Sequence, residues 1–285
     1  MGPRVPQGRR ISGLGPGFAM AVVRSYFSPR TAKSNFVTIA RALHIFYRHV
    51  HVRADQTSRD PNKSRPEWFT HEACFANLLR TIRADPLGER VKLTIMYDGS
   101  LEDFVDDFMA AYYADESNRI EIQFIKGGSD INSFLITLYA ARTAAIDPGD
   151  IVYFLENDYL HQDGWVTKVF DLYASGLAFD VVSLYDHADK YFLEMYHELT
   201  ARVVHSGSHH WRTAPSTCAS FMLEKQVFDR DYAVFSAGQT DYYFFSKLIG
   251  EGGRVLLTPV PGLSTHSMTG YLSPTVDWAA IARAR

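Results

Sequence analysis

Between residues 42 and 158 the chain repeats one pattern: an apolar run, a polar turn and a segment of helical spacing. Leu43 to Val52 reads as a strand, followed by a polar loop, Arg53 to Pro66, and a helix from about Glu67 to Arg83. Val91 to Tyr97 is a second strand, closed by Asp98-Gly99-Ser100. Ser100, with Asp103 three residues on, predicts a capped helix running to about Ala114. Ile120 to Ile125 is a third strand, ended by Gly127-Gly128, and Ile131 to Ala145 carries apolar residues at helical spacing. After the turn Asp147-Pro148-Gly149 comes a continuous apolar strand, Ile151 to Leu155. Strands that alternate with helices and are apolar on both faces predict an α/β fold, its mostly parallel central sheet covered by helices on both sides. Ligands of such sheets bind beyond the carboxyl ends of the strands. Those ends read Asp98-Gly99-Ser100, Gly127-Gly128-Ser129-Asp130 and Glu156-Asn157-Asp158, so chemistry is expected there.

The second half is less regular. Val181 to Leu184 reads as a strand, a long irregular stretch follows to Pro215, and Ala219 to Leu223 is another strand. Tyr242 to Ile249 reads as a helix and Arg254 to Thr258 as a strand. Residues 1–35, rich in Gly, Pro and Arg without a period, read as a flexible basic extension, and 36–285 as a single domain. A hydrophobic content of 46% with 21% charged residues is enough for a core and excludes global disorder. The two cysteines, Cys74 and Cys218, exclude a disulfide scaffold. The first 54 residues hold nine Lys or Arg and no acid, which leaves 20 basic against 32 acidic residues in the rest. The body therefore lacks the basic face that nucleic-acid binding needs, and no nucleic-acid partner is expected. A basic arm can touch an anionic membrane surface, although a solvated leader is the simpler reading. No run of about eighteen apolar residues is present to span a bilayer. Glycines interrupt the start of the stretch around Phe18 to Val23, so a cleaved signal is not expected. The expected location is cytoplasmic, with peripheral membrane contact through the basic arm as the alternative to a solvated leader.

Several familiar motifs are absent: no phosphate loop, no nucleophile elbow, no H-E-x-x-H and no paired C-x-x-C. Gly13, Gly15 and Gly17 follow no strand and precede no helix, so they argue little for a dinucleotide site. His205, His209 and His210, beside Trp211, read as loop histidines, because cysteine or carboxylate partners at ligand spacing are missing. Cys74 reads as a buried, inert thiol. Trp68, Trp165 and Trp211 could stack on sugar rings, but core packing is the expected use of each.

The acidic triplet carries more. Glu156 and Asp158, two positions apart on an extended segment, point the same way at the end of a buried strand. Hard oxygen ligands of this kind suit Mg2+ or Mn2+ carried with a diphosphate, where a cation offsets the charge growing on a leaving oxygen. A polar turn after a strand is the plainer alternative.

Taken in order, strand and Asp98-Gly99-Ser100, strand and Gly127-Gly128-Ser129, helix, strand and Glu156-Asn157-Asp158 resemble the GT-A fold glycosyltransferases, particularly the inverting family 2. The second half is similar too: Ala219 to Phe228 as an acceptor-side strand with a bulky stretch, then Gln239-Thr240-Asp241 opening the helix at Tyr242, Gly250 to Gly253, Arg254 to Thr258, and His266. The likeness covers about residues 42 to 270. It departs from the family at the first strand, where Val50-His51-Val52-Arg53-Ala54-Asp55 replaces a Pro-x-Tyr-Asn signature. Glu156 stands where Asp is usual, and Thr240 where Glu is commoner.

The resemblance implies a Rossmann-like sheet with an irregular, acceptor-side carboxy-terminal half. Residues 36–160 would bind a nucleotide-sugar donor and 161–285 the acceptor. It implies a metal-dependent transfer of a sugar from a UDP-, GDP- or dTDP-sugar to a hydroxyl of a glycan, lipid or protein, with inversion, as in polysaccharide biosynthesis. Asp98, Ser129, Glu156 and Asp158 would contact the donor, Asp158 also the metal, and His266 would be a second metal ligand for Mn2+ or Mg2+. Arg53 and Lys63, with Asp55, Arg59 and Arg65, lie in the loop after the first strand, where basic side chains could reach the diphosphate. Asp241 would be the base that takes the acceptor's proton. Two other readings stand beside this one. A sugar nucleotidyltransferase would want a Gly-rich basic loop after the first strand, and residues 50–55 hold no glycine. A non-catalytic nucleotide- or carbohydrate-binding protein would not need Asp158, Asp241 and His266 together.

Overall fold

The apolar runs of the first half lie side by side because a helical return carries the chain back to the same edge after each strand. The computed structural model describes residues 41–51, 64–238 and 240–284. The basic extension, the loop residues Arg53, Asp55, Arg59 and Lys63, and Gln239 lie outside the described residues. The elements of the first half are β1 (Leu43–Val50), α1 (His71–Ala84), β2 (Val91–Asp98), α2 (Leu101–Val105), α3 (Phe108–Ala114), β3 (Ile120–Ile125), α4 (Asp130–Thr143) and β4 (Ile151–Glu156). β1 pairs in parallel with both β2 and β4, and β2 with β3. Then come β5 (Tyr159–His161), α5 (Trp165–Ala174), β6 (Val181–Val182), α6 (Asp189–Phe192), β7 (Val203–His205), β8 (His210–Ala214) and β9 (Phe221–Glu224). The chain ends with α7 (Lys225–Phe235), α8 (Asp241–Phe245), β10 (Leu256–Val260), β11 (Ser264–His266) and α9 (Trp278–Arg283).

The main sheet has nine strands in the order β3-β2-β1-β4-β9-β6-β10-β8-β7. Only β9 and β8 run against the others. Strand β4 is the spine of the core. Ile151, Tyr153 and Leu155 enter one apolar cluster, with Phe75 and Leu78 of α1 and Trp165 of α5. Val152 and Phe154 enter a second, with Phe134 of α4, Phe228 of α7 and Phe244 of α8. Alternate residues of one strand thus feed opposite faces, as the pleat requires, and helices cover both. This is the mostly parallel, two-sided α/β sheet expected.

Several boundaries differ from expectation. Helix α1 starts at His71, four residues later than read, because Thr70 caps it through Ala73 N. The helix expected from Ser100 to Ala114 breaks into α2 and α3. Asp107 interrupts it by capping α3 through Met109 N at 2.9 Å, which leaves its other oxygen free for a different task. Strand β3 is not buried on both faces; it is the sheet edge, and Glu121, Gln123 and Phe124 are exposed. The stretch before Pro215 is not irregular throughout: it holds α6 and the β7–β8 hairpin, which extends the sheet beyond β10. Gly207, at φ 98°, makes that turn, a conformation other residues rarely adopt. The bulky stretch to Phe228 is strand only to Glu224, and α7 begins at once.

The tryptophans take the packing role expected. Trp165 and Trp211 are buried, their indole N–H groups donating to Thr81 Oγ1 and Ser206 Oγ at 3.1 Å each. Trp68 packs on the small cluster of Cys74, Leu160 and Trp278. Burial pushes the Cys74 thiol up to about 12, so it stays protonated at neutral pH. His205 and His210 face each other across the hairpin, and His209 Nε2 donates to the Pro261 carbonyl at 2.9 Å. Among the described residues no helix is long and apolar enough to cross a membrane.

Candidate active site

At the carboxyl end of β2, Asp98 ties two turns together. Its Oδ1 accepts from Gly127 N at 2.9 Å, and its Oδ2 accepts from Ser133 Oγ on α4. Gly127 is required by this closeness: a Cβ there would stand 2.6 Å from Asp98 Oδ2 and 2.8 Å from Ser133 Cα. Ser129 caps α4, its hydroxyl accepting from Asn132 N at 3.2 Å. The carboxylate of Asp98 and the hydroxyl of Ser129, both expected at the donor, thus also serve the turn that shapes the site's rim.

Strand β1 stands next to β4 with Arg48 opposite Glu156. The Arg48 guanidinium donates to Glu156 Oε1 and Asp130 Oδ1, each at 2.8 Å, and lies over the Phe134 ring. Burial raises the Glu156 carboxyl, and the Arg48 charge opposes that rise. Ser220 Oγ also donates to Glu156, at 3.3 Å. Arg48 was not singled out from sequence.

After Glu156 the strand gives way to a turn at Asn157 and Asp158, so the two acids do not share one extended segment as expected. They are held by different partners. Asp158 is almost fully buried, and its Oδ2 accepts from Arg65 Nη2 at 2.7 Å and His266 Nε2 at 2.9 Å. Its Oδ1 is buried with no hydrogen-bond partner among the described residues. Burial alone would raise the Asp158 carboxyl; His266 and Arg65 outweigh it and hold the group well below the usual carboxylate range. Burial would likewise lower His266, but the Asp158 carboxylate prevails and raises it. The approach is topological. β11 pairs with β5 so that His266 sits opposite Tyr159, the residue after Asp158. The His266 ring stacks on the Tyr159 ring at 5.1 Å.

Asp241 is the first residue of α8 and is half-buried. It lines a cleft of about 180 Å³ together with Arg48, Asp130, Glu156 and the apolar side chains of Phe134 and Phe244. Burial raises its carboxyl above the ordinary range, despite the N–H of Tyr242 donating to it at 2.7 Å. Of the residues expected from sequence, the fold therefore brings Glu156, Asp158, Asp241 and His266 to one edge of the sheet. Asp98 and Ser129 border it, and Arg53 and Lys63 are outside the described residues.

A second network at this edge has no counterpart in the sequence reading. Asp107 Oδ2 accepts from His49 Nε2 at 3.0 Å, His51 Nδ1 at 2.9 Å and Tyr97 OH at 3.2 Å. Burial would raise Asp107, but the hydrogen bonds, that of His49 first, hold it well below the usual range. A carboxylate only accepts, so His49 carries its proton on Nε2, and its Nδ1 accepts from the Asn157 amide at 3.3 Å. Asn157, in the middle of the acidic triplet, is thereby oriented from β1 and α3. The sequence signal was present in the His49-Val50-His51 repeat, whose alternate residues point to one side where β1 ends.

Among the described residues no group of three or more His, Cys, Asp and Glu is arranged to hold a metal. No protein-family model and no curated protein matches the chain. Similar solved structures do exist. The structure of GalNAc-T7 with UDP, GalNAc and Mn2+ superimposes with a TM-score of 0.51 at 11% identity, over 95% of this chain. The chain spans 58% of that protein's length. The apo form of the glycosyltransferase GlyE of Streptococcus pneumoniae TIGR4 matches over 74% of this chain and 43% of its own, with 11% identity and a TM-score of 0.38. The 4-diphosphocytidyl-2C-methyl-D-erythritol synthase matches over 84% and 96%, with 12% identity and a TM-score of 0.41. The last two are too distant to carry an argument. The first, with the strand order and the two-sided core, shows the fold: this chain has a GT-A-like α/β architecture.

Proposed function

We propose that the chain transfers a sugar from a nucleotide-sugar donor to a hydroxyl acceptor, with inversion at the anomeric carbon. One observation carries the reading. Asp241, a carboxylate raised by burial, opens onto the same cleft as Glu156, two residues from the Asp158–His266 pair. That is the residue set for departure of a diphosphate and for deprotonation of an acceptor, at the strand ends where ligands of such sheets bind.

Asp158 and His266 fit a divalent cation. The Oδ1 of Asp158 is buried without a hydrogen-bond partner among the described residues, which leaves one oxygen of the carboxylate for a cation. The Asp158 carboxylate and His266 Nε2, now joined by a 2.9 Å hydrogen bond, are the two groups that would hold it. Such ions are held by one or two protein groups plus substrate phosphates. Bound there, Mn2+ or Mg2+ would offset the charge that grows on the departing diphosphate. GalNAc-T7, whose fold is similar, was solved with UDP, GalNAc and Mn2+, in agreement with this reading.

The remaining roles belong to the chain itself. Arg48 holds Glu156 by an ion pair and so fixes a hydrogen-bond acceptor for the donor's sugar or ribose hydroxyls. Asp241 takes the proton of the attacking hydroxyl at its carboxylate. One base on the acceptor side suits a single displacement, hence inversion. The acceptor is a glycan, lipid or protein hydroxyl.

Binding tests this directly. UDP, GDP and dTDP are each added to the chain with Mn2+ or with chelator, and the melting temperature is read. One of them with Mn2+ is expected to raise it; at one hundred times Kd the gain is about 2.7 kcal/mol. A nucleotide that stabilises equally with chelator would remove the metal from the reading, and stabilisation by none of them would remove the donor.

A further inference from the structure

Arg65 occupies an unusual position for a basic residue beside a cation site. One guanidinium nitrogen donates to Asp158 Oδ2 at 2.7 Å, the other to the Ser267 carbonyl at 2.9 Å, and the Cζ lies over the Phe69 ring, 4.4 Å from its centroid. Its neighbours are equally tied down, with Thr269 N donating to the Ser64 carbonyl at 2.9 Å and Ser267 N to the Asp158 carbonyl at 2.8 Å. A divalent cation at Asp158 and His266 would therefore meet a fixed positive charge on the same carboxylate oxygen. Two cations on one carboxylate repel unless a polyanion arrives with the second.

We infer that Arg65 is the resident counter-ion of Asp158 and makes metal binding conditional on the donor's diphosphate. This rests on the reading of Asp158 and His266 as a cation site. In the free protein Arg65 neutralises the buried carboxylate, so the chain does not need a metal to fold around Asp158. When a diphosphate enters, its charge accommodates both cations. The Arg65 head, still about a quarter exposed, is then placed to donate to a phosphate oxygen, a partner for which the guanidinium fork is suited. Arg65 thus couples two ligands: it opposes the metal alone and favours the metal with diphosphate. A purely structural arginine would weaken both or neither.

The test is a titration of Mn2+ alone, by calorimetry or electron paramagnetic resonance, into the wild type, Arg65→Met and Arg65→Lys. Each nucleoside diphosphate (UDP, GDP, dTDP) is then titrated with Mn2+ held constant. Arg65→Met is expected to bind Mn2+ alone at least about tenfold more tightly, since a neighbouring charge changes a carboxylate's affinity for a cation such as the proton by about ten- to a thousandfold. The same variant should bind the nucleoside diphosphate with Mn2+ more weakly than the wild type. Arg65→Lys keeps the charge and should keep Mn2+ alone weak, although its single ammonium cannot hold Asp158 and Ser267 in the same fork. Should Arg65→Met not fold, Arg65→Gln with the same readout decides. Unchanged or weaker Mn2+ affinity in the neutral variant, with normal Mn2+ binding to the wild type in the presence of nucleotide, overturns the role of Arg65 alone. Absence of Mn2+ binding to every variant, with and without nucleotide, overturns the cation site itself and this inference with it.

Discussion

Asp241→Asn is expected to slow sugar transfer about 100- to 10,000-fold, the range that general-base assistance supplies. The variant keeps the shape of the side chain and its place at the start of α8, but an amide cannot take a proton. Donor binding should remain close to wild type, because the lost interaction belongs to the transition state. The loss of the first-turn charge costs the helix no more than about 1 kcal/mol. Burial raises the Asp241 carboxyl above the ordinary carboxylate range, and Asp130 nearby adds to that, while His187 and Lys190 oppose it. The sign of the pH dependence follows. Only the ionised carboxyl is a base, so turnover is present above its pKa and lost as pH falls through it. That acid limb lies higher than an unperturbed aspartate would give, and Asp241→Asn should remove it. A wild-type rate in the variant, or an unchanged acid limb, would show that Asp241 takes no proton.

Asp158→Asn should reduce turnover by about 100- to 1,000-fold, the usual effect of deleting one preorganised electrostatic partner. Its fold should survive, since Asn fits the same space. The amide leaves Arg65 and His266 without their shared anion, so the chain should lose some stability as well as the cation site. Without the carboxylate, burial lowers His266 toward its neutral form, and the Arg65 charge faces a neutral amide, a cost of roughly 1–3 kcal/mol by analogy with stranded hydrogen-bond partners of charged groups. The measurement is nucleotide affinity with Mn2+ and with chelator. In the wild type the two differ; in Asp158→Asn they should coincide. A variant that keeps the difference would place the cation elsewhere.

How far the sequence carried this account depends on the range of each contact. The strand and helix alternation from Leu43 to Glu156 is local, and periodicity found it. Glu156-Asn157-Asp158 was visible because it follows an apolar strand, and the helix that begins with Asp241 was visible from its own spacing. The position of His266 beside Asp158 was not local: 108 residues separate them, and only the three-residue pairing of β11 with β5 brings them together. Resemblance to a known order of motifs suggested it; periodicity could not. Arg65 reaches Asp158 across 93 residues; its sequence position suited a diphosphate contact and a solvated loop equally and did not point to Asp158. The break at Asp107 escaped because Ser100 and the residues after it satisfy helix rules by themselves. The competing demand, three donors from His49, His51 and Tyr97, is tertiary. The β7–β8 hairpin was missed for a similar reason. Its strands are three and five residues long with no clean alternation, and β8 is fixed by pairing with β10, more than forty residues on.

Release of a free nucleoside diphosphate from a nucleotide sugar tests the central claim most directly. The chain is incubated with UDP-, GDP- and dTDP-sugars, Mn2+ and a mixture of glycan, lipid and peptide hydroxyl acceptors. Both products are then identified, the nucleotide by chromatography and the anomeric configuration of the transferred sugar by NMR. The expected result is a nucleoside diphosphate formed together with a glycoside of inverted configuration, abolished by chelator and strongly reduced in Asp241→Asn. Pyrophosphate formed from a nucleoside triphosphate and a sugar phosphate, with no nucleoside diphosphate released from any donor, would contradict the account and assign this edge of the sheet to nucleotidyl transfer instead.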